Sequence, residues 1–222
     1  MSDFVNTVDI VGDEALTASI VDRSITEIAD NLVTSIGQYA FYGCSALTAA
    51  DFPMVTSIGG RAFCSCSELT TADFPVATSI GQYAFQSCSK LTTVDFPAVT
   101  SISSSAFYGC SALTTADFPM ATRIGSYAFR SCSNLTTLIL RSETMCTLSG
   151  TNAFNNCYHI LGTTNSTYNP DGLADGYIYV PRALVDSYKA ASNWSTYANQ
   201  FRALEDYTVD GTTTGALDES KI

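Results

Sequence analysis

Four aspartates, Asp51, Asp73, Asp95 and Asp117, stand 22 residues apart, each between a small apolar residue and a phenylalanine. On stacked copies of a repeat, their carboxylates would lie about 5 Å apart, where like charges repel by roughly 1 kcal/mol in a water-like dielectric. Such a row suits three kinds of chemistry. It can keep a surface hydrated, it can hold a cation such as calcium or a cationic ligand, or one pair can work on a glycosidic bond, because retaining glycosidases hold their carboxyls about 5 Å apart. The last use requires an asymmetric environment that separates acid from base, and a repeat gives every member the same surroundings. Two residues before the acids, Ala49, Thr71, Thr93 and Thr115 point to the same outer side, since alternate residues of a strand share a face.

Other residues recur at the same interval. Tyr39, Tyr83 and Tyr127 share one repeat position, interrupted by Arg61 and Ser105. Outward tyrosines in every second coil can stack on sugars or grip a protein, or they can lie flat over the core. Five cysteines keep the period (Cys44, Cys66, Cys88, Cys110 and Cys132), Cys157 closes the series, and Cys64 and Cys146 are extra. Each thiol in a stack has two equivalent neighbours, and zinc sites use clustered ligand pairs of which only Cys64 and Cys66 come near. The series therefore reads as buried thiols filling space as small hydrophobes. The one histidine, His159, stands near Cys157 without a catalytic motif around it. No Gly-rich phosphate loop, G-x-S-x-G or H-E-x-x-H occurs, so nucleophilic and hydride chemistry lack their parts. The expectation is a non-enzymatic protein without a cofactor.

The elements that carry these residues follow from the period. Copies begin at Ile36, Ile58, Ile80, Ile102 and Ile124, with a degenerate sixth from about Leu148. A fixed interval of this length marks a solenoid whose coils stack. In one copy Leu69, Ala72 and Phe74 have the spacing of a short strand, and Pro75, which lacks an N–H, ends it. Val76, Ala77 and Ile80 are expected to turn inward, and Gly81 opens a helical turn that carries Ala84, Phe85 and Cys88 inward. Ten of the 12 phenylalanines fall on two ladders: Phe41, Phe63, Phe85, Phe107, Phe129 and Phe154, and Phe52, Phe74, Phe96 and Phe118.

The stretch Ala84-Phe85-Gln86-Ser87-Cys88-Ser89-Lys90-Leu91, with the following x-x-Val94-Asp95-Phe96-Pro97, resembles the BspA-like (Treponema-type) leucine-rich repeat family over residues 25 to about 160. Val55, Ala77, Val99 and Ala121 stand where commoner leucine-rich repeats place Asn or Cys. The resemblance implies an α/β repeat solenoid, with coils of about 22 residues, short parallel strands and helical turns, capped at both ends. It also implies a surface or secreted protein of adhesion and host contact. The opening MSDFVNTVDIVGDEAL lacks the basic start and apolar run of a signal peptide, so the expectation is a chain without an export address of its own, released by lysis or trimmed of its signal.

Residues 1–35 read as an N-terminal cap with a partial coil (Ile25, Ile28, Val33 and Ile36, with Asp30 in place of a Phe) and a short helix over 12–20. The array runs over 36–160, a closing segment of loop, strand and helices over 161–204, and an acidic tail over 205–222. A net charge of −11 makes nucleic acid a poor partner, and no apolar run is long enough to insert into a membrane. The expected partner is a protein or glycan on a host or neighbouring cell surface, with calcium a further candidate. The expected ligand-binding residues are Asp51, Asp73, Asp95, Asp117, Thr71, Thr93, Thr115, Tyr39, Tyr83 and Tyr127. The competing expectation is a structural or assembly component, for example of a phage particle, whose end segments bind neighbouring chains.

Overall fold

One copy of the repeat has too little interior to cover its own apolar side, so each copy must rest on the next. The computed structural model describes residues 24–162, 171–172 and 175–206, and in it the copies are coils of a parallel solenoid. The helix expected over 12–20, the tail from 207 onward and positions 163–170 and 173–174 of the expected loop lie outside the described residues.

Two strands per coil build two ladders. The longer strands are Glu27–Ala29, Ala49–Asp51, Thr71–Asp73, Thr93–Asp95, Thr115–Asp117 and Thr137–Ile139, followed by Tyr177–Val180 and Phe201–Ala203 from the closing segment. The shorter ones, Ser35–Ile36 to Thr147–Leu148, form one unbroken six-stranded sheet. Register follows the repeat: Ala49 pairs with Thr71, Asp51 with Asp73 and Asp95 with Asp117.

A third ladder replaces the expected helical turn. Residues 81–88 form successive tight turns, with Ala84 N–H donating to Gly81, Gln86 to Tyr83 and Cys88 to Phe85. Tyr83 and Ser87 both have a φ of 59°, which stops a helix. The alternation aims every second amide at the next coil instead: Phe85 N–H reaches Ala106 O at 2.8 Å and Ser87 N–H reaches Tyr108 O at 2.7 Å.

Inside these ladders all ten repeat phenylalanines are fully buried. Rings of the first row lie 4.9–5.5 Å apart and nearly parallel, and those of the second row 5.7–6.0 Å apart. Ala77 and Ile80 point inward as expected, but Val76 does not. It is exposed, as are Met54 and Met120 at the same position, because the residue after the strand-ending proline faces water.

Threonine hydroxyls add a second fastening. At Thr48, Thr70, Thr114 and Thr136 the backbone N–H and the side-chain hydroxyl both donate to the carbonyl of the preceding coil's threonine. Thr56, Thr78, Thr122 and Thr147 repeat this on the other ladder.

One inter-coil contact is looser than the rest. Among the described residues neither donor of Thr92 reaches Thr70 O, the Thr100 hydroxyl does not reach Thr78 O, and the long-strand sheet divides between Thr71–Asp73 and Thr93–Asp95. The same contact fails at Ser103. At 37, 59, 81 and 125 this position is glycine, and a Cβ on Gly59 or Gly81 would stand 2.5–2.6 Å from backbone of the coil before. Gly59, Gly81 and Gly125 each donate to an isoleucine carbonyl at 2.8 Å and Ser149 does so at 2.9 Å, whereas Ser103 forms no such bond with Ile80. On the strand side Val94 stands in the same column as Ala50 and Ala72 and pairs in register with Ala116 on its other side.

The ends are closed differently. At the first described coil Asp30 accepts the N–H groups of Leu32 and Val33 at 2.7 Å each, where later coils place a buried ring. At the other end Tyr188, Trp194, Tyr197 and Phe201 pack on Phe154 and one another. Trp194 Nε1 donates to Cys146 O, and the Tyr197 hydroxyl donates to Thr151 O.

Replacing Phe85 with Ala removes a ring stacked on both sides, and a loss of about 3–5 kcal/mol in urea denaturation is expected. A loss below about 1 kcal/mol would place the ring outside the core. Ser103→Gly is expected to let the loose coils close, so the amide at 103 should become as slow in hydrogen exchange as those of Gly81 and Gly125. An unchanged rate would show that the Cβ does not hold them apart.

Candidate functional site

The outer columns of the array make two faces. The strand face carries the aspartates, but not as four equivalent charges. Asp51 and Asp73 are exposed and adjacent. Asp117 is half-buried and receives a bidentate ion pair from Arg141, with Arg141 Nη2 2.7 Å from Oδ2 and Nε 3.1 Å from the same oxygen. Asp95 is placed by its backbone opposite Asp117. Beyond Asp117 the column changes character, with Ile139 and Tyr179 next in register and buried beneath Leu204. Where the long-strand sheet divides, a cleft of about 360 Å³ opens, lined by Thr71, Ala72, Asp73, Pro75, Thr93 and Pro97. The division thus brings Asp73, Thr71 and Thr93 to one depression, while Thr115 stands half-buried in the intact ladder. Among the described residues no three of His, Cys, Asp and Glu gather as a metal site.

The turn face carries the tyrosines. Tyr39 and Tyr127 are exposed, and Tyr83 is half-buried. The arginine that breaks their column joins it physically: the Arg61 guanidinium lies 4.4 Å from the Tyr83 ring centre and 5.7 Å from that of Tyr39, and Nη1 donates to the Tyr39 hydroxyl at 3.2 Å. Arg130 lies in the same way over Tyr127 and Tyr108, at 5.3 and 5.6 Å. Tyr39, Arg61, Tyr83, Ser105 and Tyr127 all hold φ between 54° and 62°, a left-handed backbone that costs of order 1 kcal/mol or more for a side chain of this bulk. Sequence reasoning treated Arg61 as an interruption and overlooked Arg130. Their signal was the coincidence of a guanidinium with aromatic residues one repeat away.

The cysteines do more than fill space. Each thiol of Cys66, Cys88, Cys110, Cys132 and Cys157 donates to the carbonyl of a phenylalanine in the preceding coil, at 3.0–3.2 Å. All eight cysteines are free and buried. The Cys157 thiol is therefore directed at Phe129 O, while His159 Nδ1 meets Asp175 Oδ1 at 2.6 Å, so the two residues are engaged apart rather than as a dyad. A second cleft, of about 180 Å³, lies on the turn side at Gln82, Ser101, Ser103, Ser104, Arg123 and Gly125, where Ser103 makes no bond to Ile80 O.

Comparison with known proteins agrees with this architecture. The family model described as BspA type leucine rich repeat region matches in 6 copies, over residues 9–136 and 56–167. A leucine-rich repeat protein of Bacteroides ovatus is 29% identical and superposes with a TM-score of 0.56, over 61% of this chain and 37% of its own. The leucine-rich repeat protein of T. pallidum is 28% identical, with a TM-score of 0.53 over 61% of this chain and 63% of its own. The chain thus covers less than two thirds of the length of either relative. No curated protein sequence matches it.

Burial raises the Cys146 thiol to about 12, and burial is also the main cause that lifts Cys66, Cys88, Cys132, Cys157, Tyr188 and Tyr197. A group whose folded pKa lies above its unfolded value stabilises fully below the unfolded value and loses that contribution as pH rises towards the folded one. Unfolded thiols titrate near about 8.5 and tyrosines near about 10. The urea midpoint should therefore hold to about pH 8 and fall progressively above it; a midpoint unchanged at about pH 10.5 would contradict the burial. Thiol labelling at neutral pH should find few reactive groups in the native protein and eight after denaturation.

Proposed function

The chain belongs to the BspA-type leucine-rich repeat family, a family of interaction scaffolds, and from that premise we propose that it is a non-enzymatic adhesion module. It recognises a protein or glycan on a host or neighbouring cell surface with the outer columns of its array. The observation that carries this reading is the regular stacking: coils in register at each 22-residue step present the same outward positions again and again on a packed core. Such a surface holds many weak contacts in fixed positions, and their pre-ordering lowers the entropy lost on binding. The outward side chains are Asp and Thr on one face and Tyr, Arg, Gln and Ser on the other, none of which is arranged with a nucleophile and base. No described helix is long and apolar enough to cross a membrane.

In the closing segment Tyr188, Trp194 and Tyr197 all turn onto the protein's own last coils, which supports an end sealed against stacking rather than one built to join a neighbour. A monomer in size-exclusion chromatography with light scattering is expected, together with retention of at least one component in a screen of glycans and cell surfaces. A defined oligomer that ignores every surface would replace this reading with the assembly role.

A further inference from the structure

The overall charge of −11 hides an uneven distribution. Residues 36–148 contain five basic residues, Arg61, Lys90, Arg123, Arg130 and Arg141, against six acidic ones, so the excess negative charge belongs to the segments on either side. Within the array the two signs separate by face. Asp51, Asp73, Asp95 and Asp117 sit in the long strands, Glu143 follows the strand Thr137–Ile139, and the turns that lead from short to long strands contain a single carboxylate, Glu68, which is paired with Lys90. Arg61, Arg123 and Arg130 have no carboxylate partner among the described residues; Arg61 and Arg130 are stacked on tyrosines, and Arg123 Nε reaches the Ser149 hydroxyl at 3.4 Å.

We propose that the turn face is the recognition surface of the binding module, and that its ligand is a linear acidic glycan lying along the coil axis. This rests on the adhesion reading above and specifies it.

Three observations select that partner. First, stacking covers the flat faces of the Arg61 guanidinium and leaves its N–H edge, of which Nη1 alone donates within the protein, to the Tyr39 hydroxyl. A guanidinium held in this way offers paired donors to a carboxylate or sulfate. Arg130 adds a buried Nε that lacks an acceptor among the described residues. Second, the groups around these cations are amides and hydroxyls. The turn-side cleft joins Gln82 to Ser101, Ser103, Ser104 and Arg123, a lining that hydrogen-bonds ring hydroxyls, and Tyr39, Tyr42 and Tyr127 are exposed in other coils of the array. The outward turn positions around them carry tyrosines, amides and hydroxyls rather than carboxylates. Third, three cations spread from Arg61 to Arg130 over four coils are too sparse for a nucleic acid, which presents a charge every few ångströms. They suit a polymer with one charged group per sugar or fewer.

The repeat itself supplies substitutions that keep the fold. Ser105 occupies the position of Arg61 with a φ of 58°, and Gln86 occupies that of Arg130, so Arg61→Ser with Arg130→Gln should keep the fold and melt only somewhat lower for the loss of its cation–π contacts, and binding is measured well below that melting temperature. Titration calorimetry at about physiological salt would use sulfated heparan-type oligosaccharides and carboxylated polygalacturonate oligosaccharides as the two probes. The unaltered chain should bind at least one of them, the double variant at least ten times more weakly, and Asp51→Asn with Asp73→Asn no more weakly than the unaltered chain. Equal affinity in the double variant would overturn the proposal, as would tighter binding of a poly-glutamate peptide or single-stranded DNA than of either glycan. Capture of a neutral glycan or a cell surface without any acidic glycan binding would remove this proposal and leave the adhesion reading standing; binding to nothing would remove both.

Discussion

The distance between neighbouring coils governs this molecule. Parallel backbone pairing sets it near 5 Å, and every repeated residue is a response to that figure. A phenylalanine ring fills the gap above another when the two lie nearly parallel, as Phe63 and Phe85 do at 5.2 Å and 4°. A cysteine thiol is short enough to remain inside and long enough to reach the Phe carbonyl of the coil before, which explains why cysteine recurs where valine or alanine would fill similar space. A threonine hydroxyl doubles the backbone bond beside it. Glycine at 59 and 81 leaves room for the adjacent main chain. The contact between the coils of Thr70–Lys90 and Thr92–Ala112 demonstrates the rule by departing from it. Ser103 and Val94 stand at this contact beside several missing hydrogen bonds and an opening on each side, although Ser149 and Leu138 hold the same two columns elsewhere without a break.

The left-handed turns connect this spacing to function. Alternating backbone handedness sends amides to the neighbouring coil and leaves the side chains at 39, 61, 83 and 127 outside. Glycine or asparagine would adopt that conformation more cheaply, yet tyrosine and arginine stand there. They brace one another through cation–π contacts worth about 0.5–1 kcal/mol each at exposed sites, which offsets part of the strain and fixes the cations in position. On the acidic face Arg141 braces Asp117, while Asp51 and Asp73 have no ion-pair partner among the described residues.

Most of the architecture was legible in the chain. The period located the coils, the two Phe ladders located the core, and Pro75 and its equivalents located the strand ends. What escaped depended on geometry at right angles to the sequence. The turn over 81–88 read as helical because its apolar spacing is helical, while the positive φ of Tyr83 and Ser87 has no mark in residue type. Val76 read as inward because it is apolar, although the proline before it had already turned the chain. The acid row read as uniform because each Asp has the same neighbours in sequence, whereas Arg141 reaches Asp117 from the next coil. Arg61 read as a gap in a tyrosine column, and only the stacked coils show it lying between Tyr39 and Tyr83.

A bound ligand should meet the turn face of the array and leave the strand face alone. Nuclear magnetic resonance mapping of the labelled chain, titrated with an acidic oligosaccharide, would report this residue by residue. Shifts are expected at the side-chain N–H groups of Arg61 and Arg130 and at the amides of Tyr39, Tyr83, Ser104 and Tyr127, with the amides of Thr71, Asp73, Thr93 and Thr115 unmoved. Shifts confined to those strand residues, or absent from both faces, would contradict it.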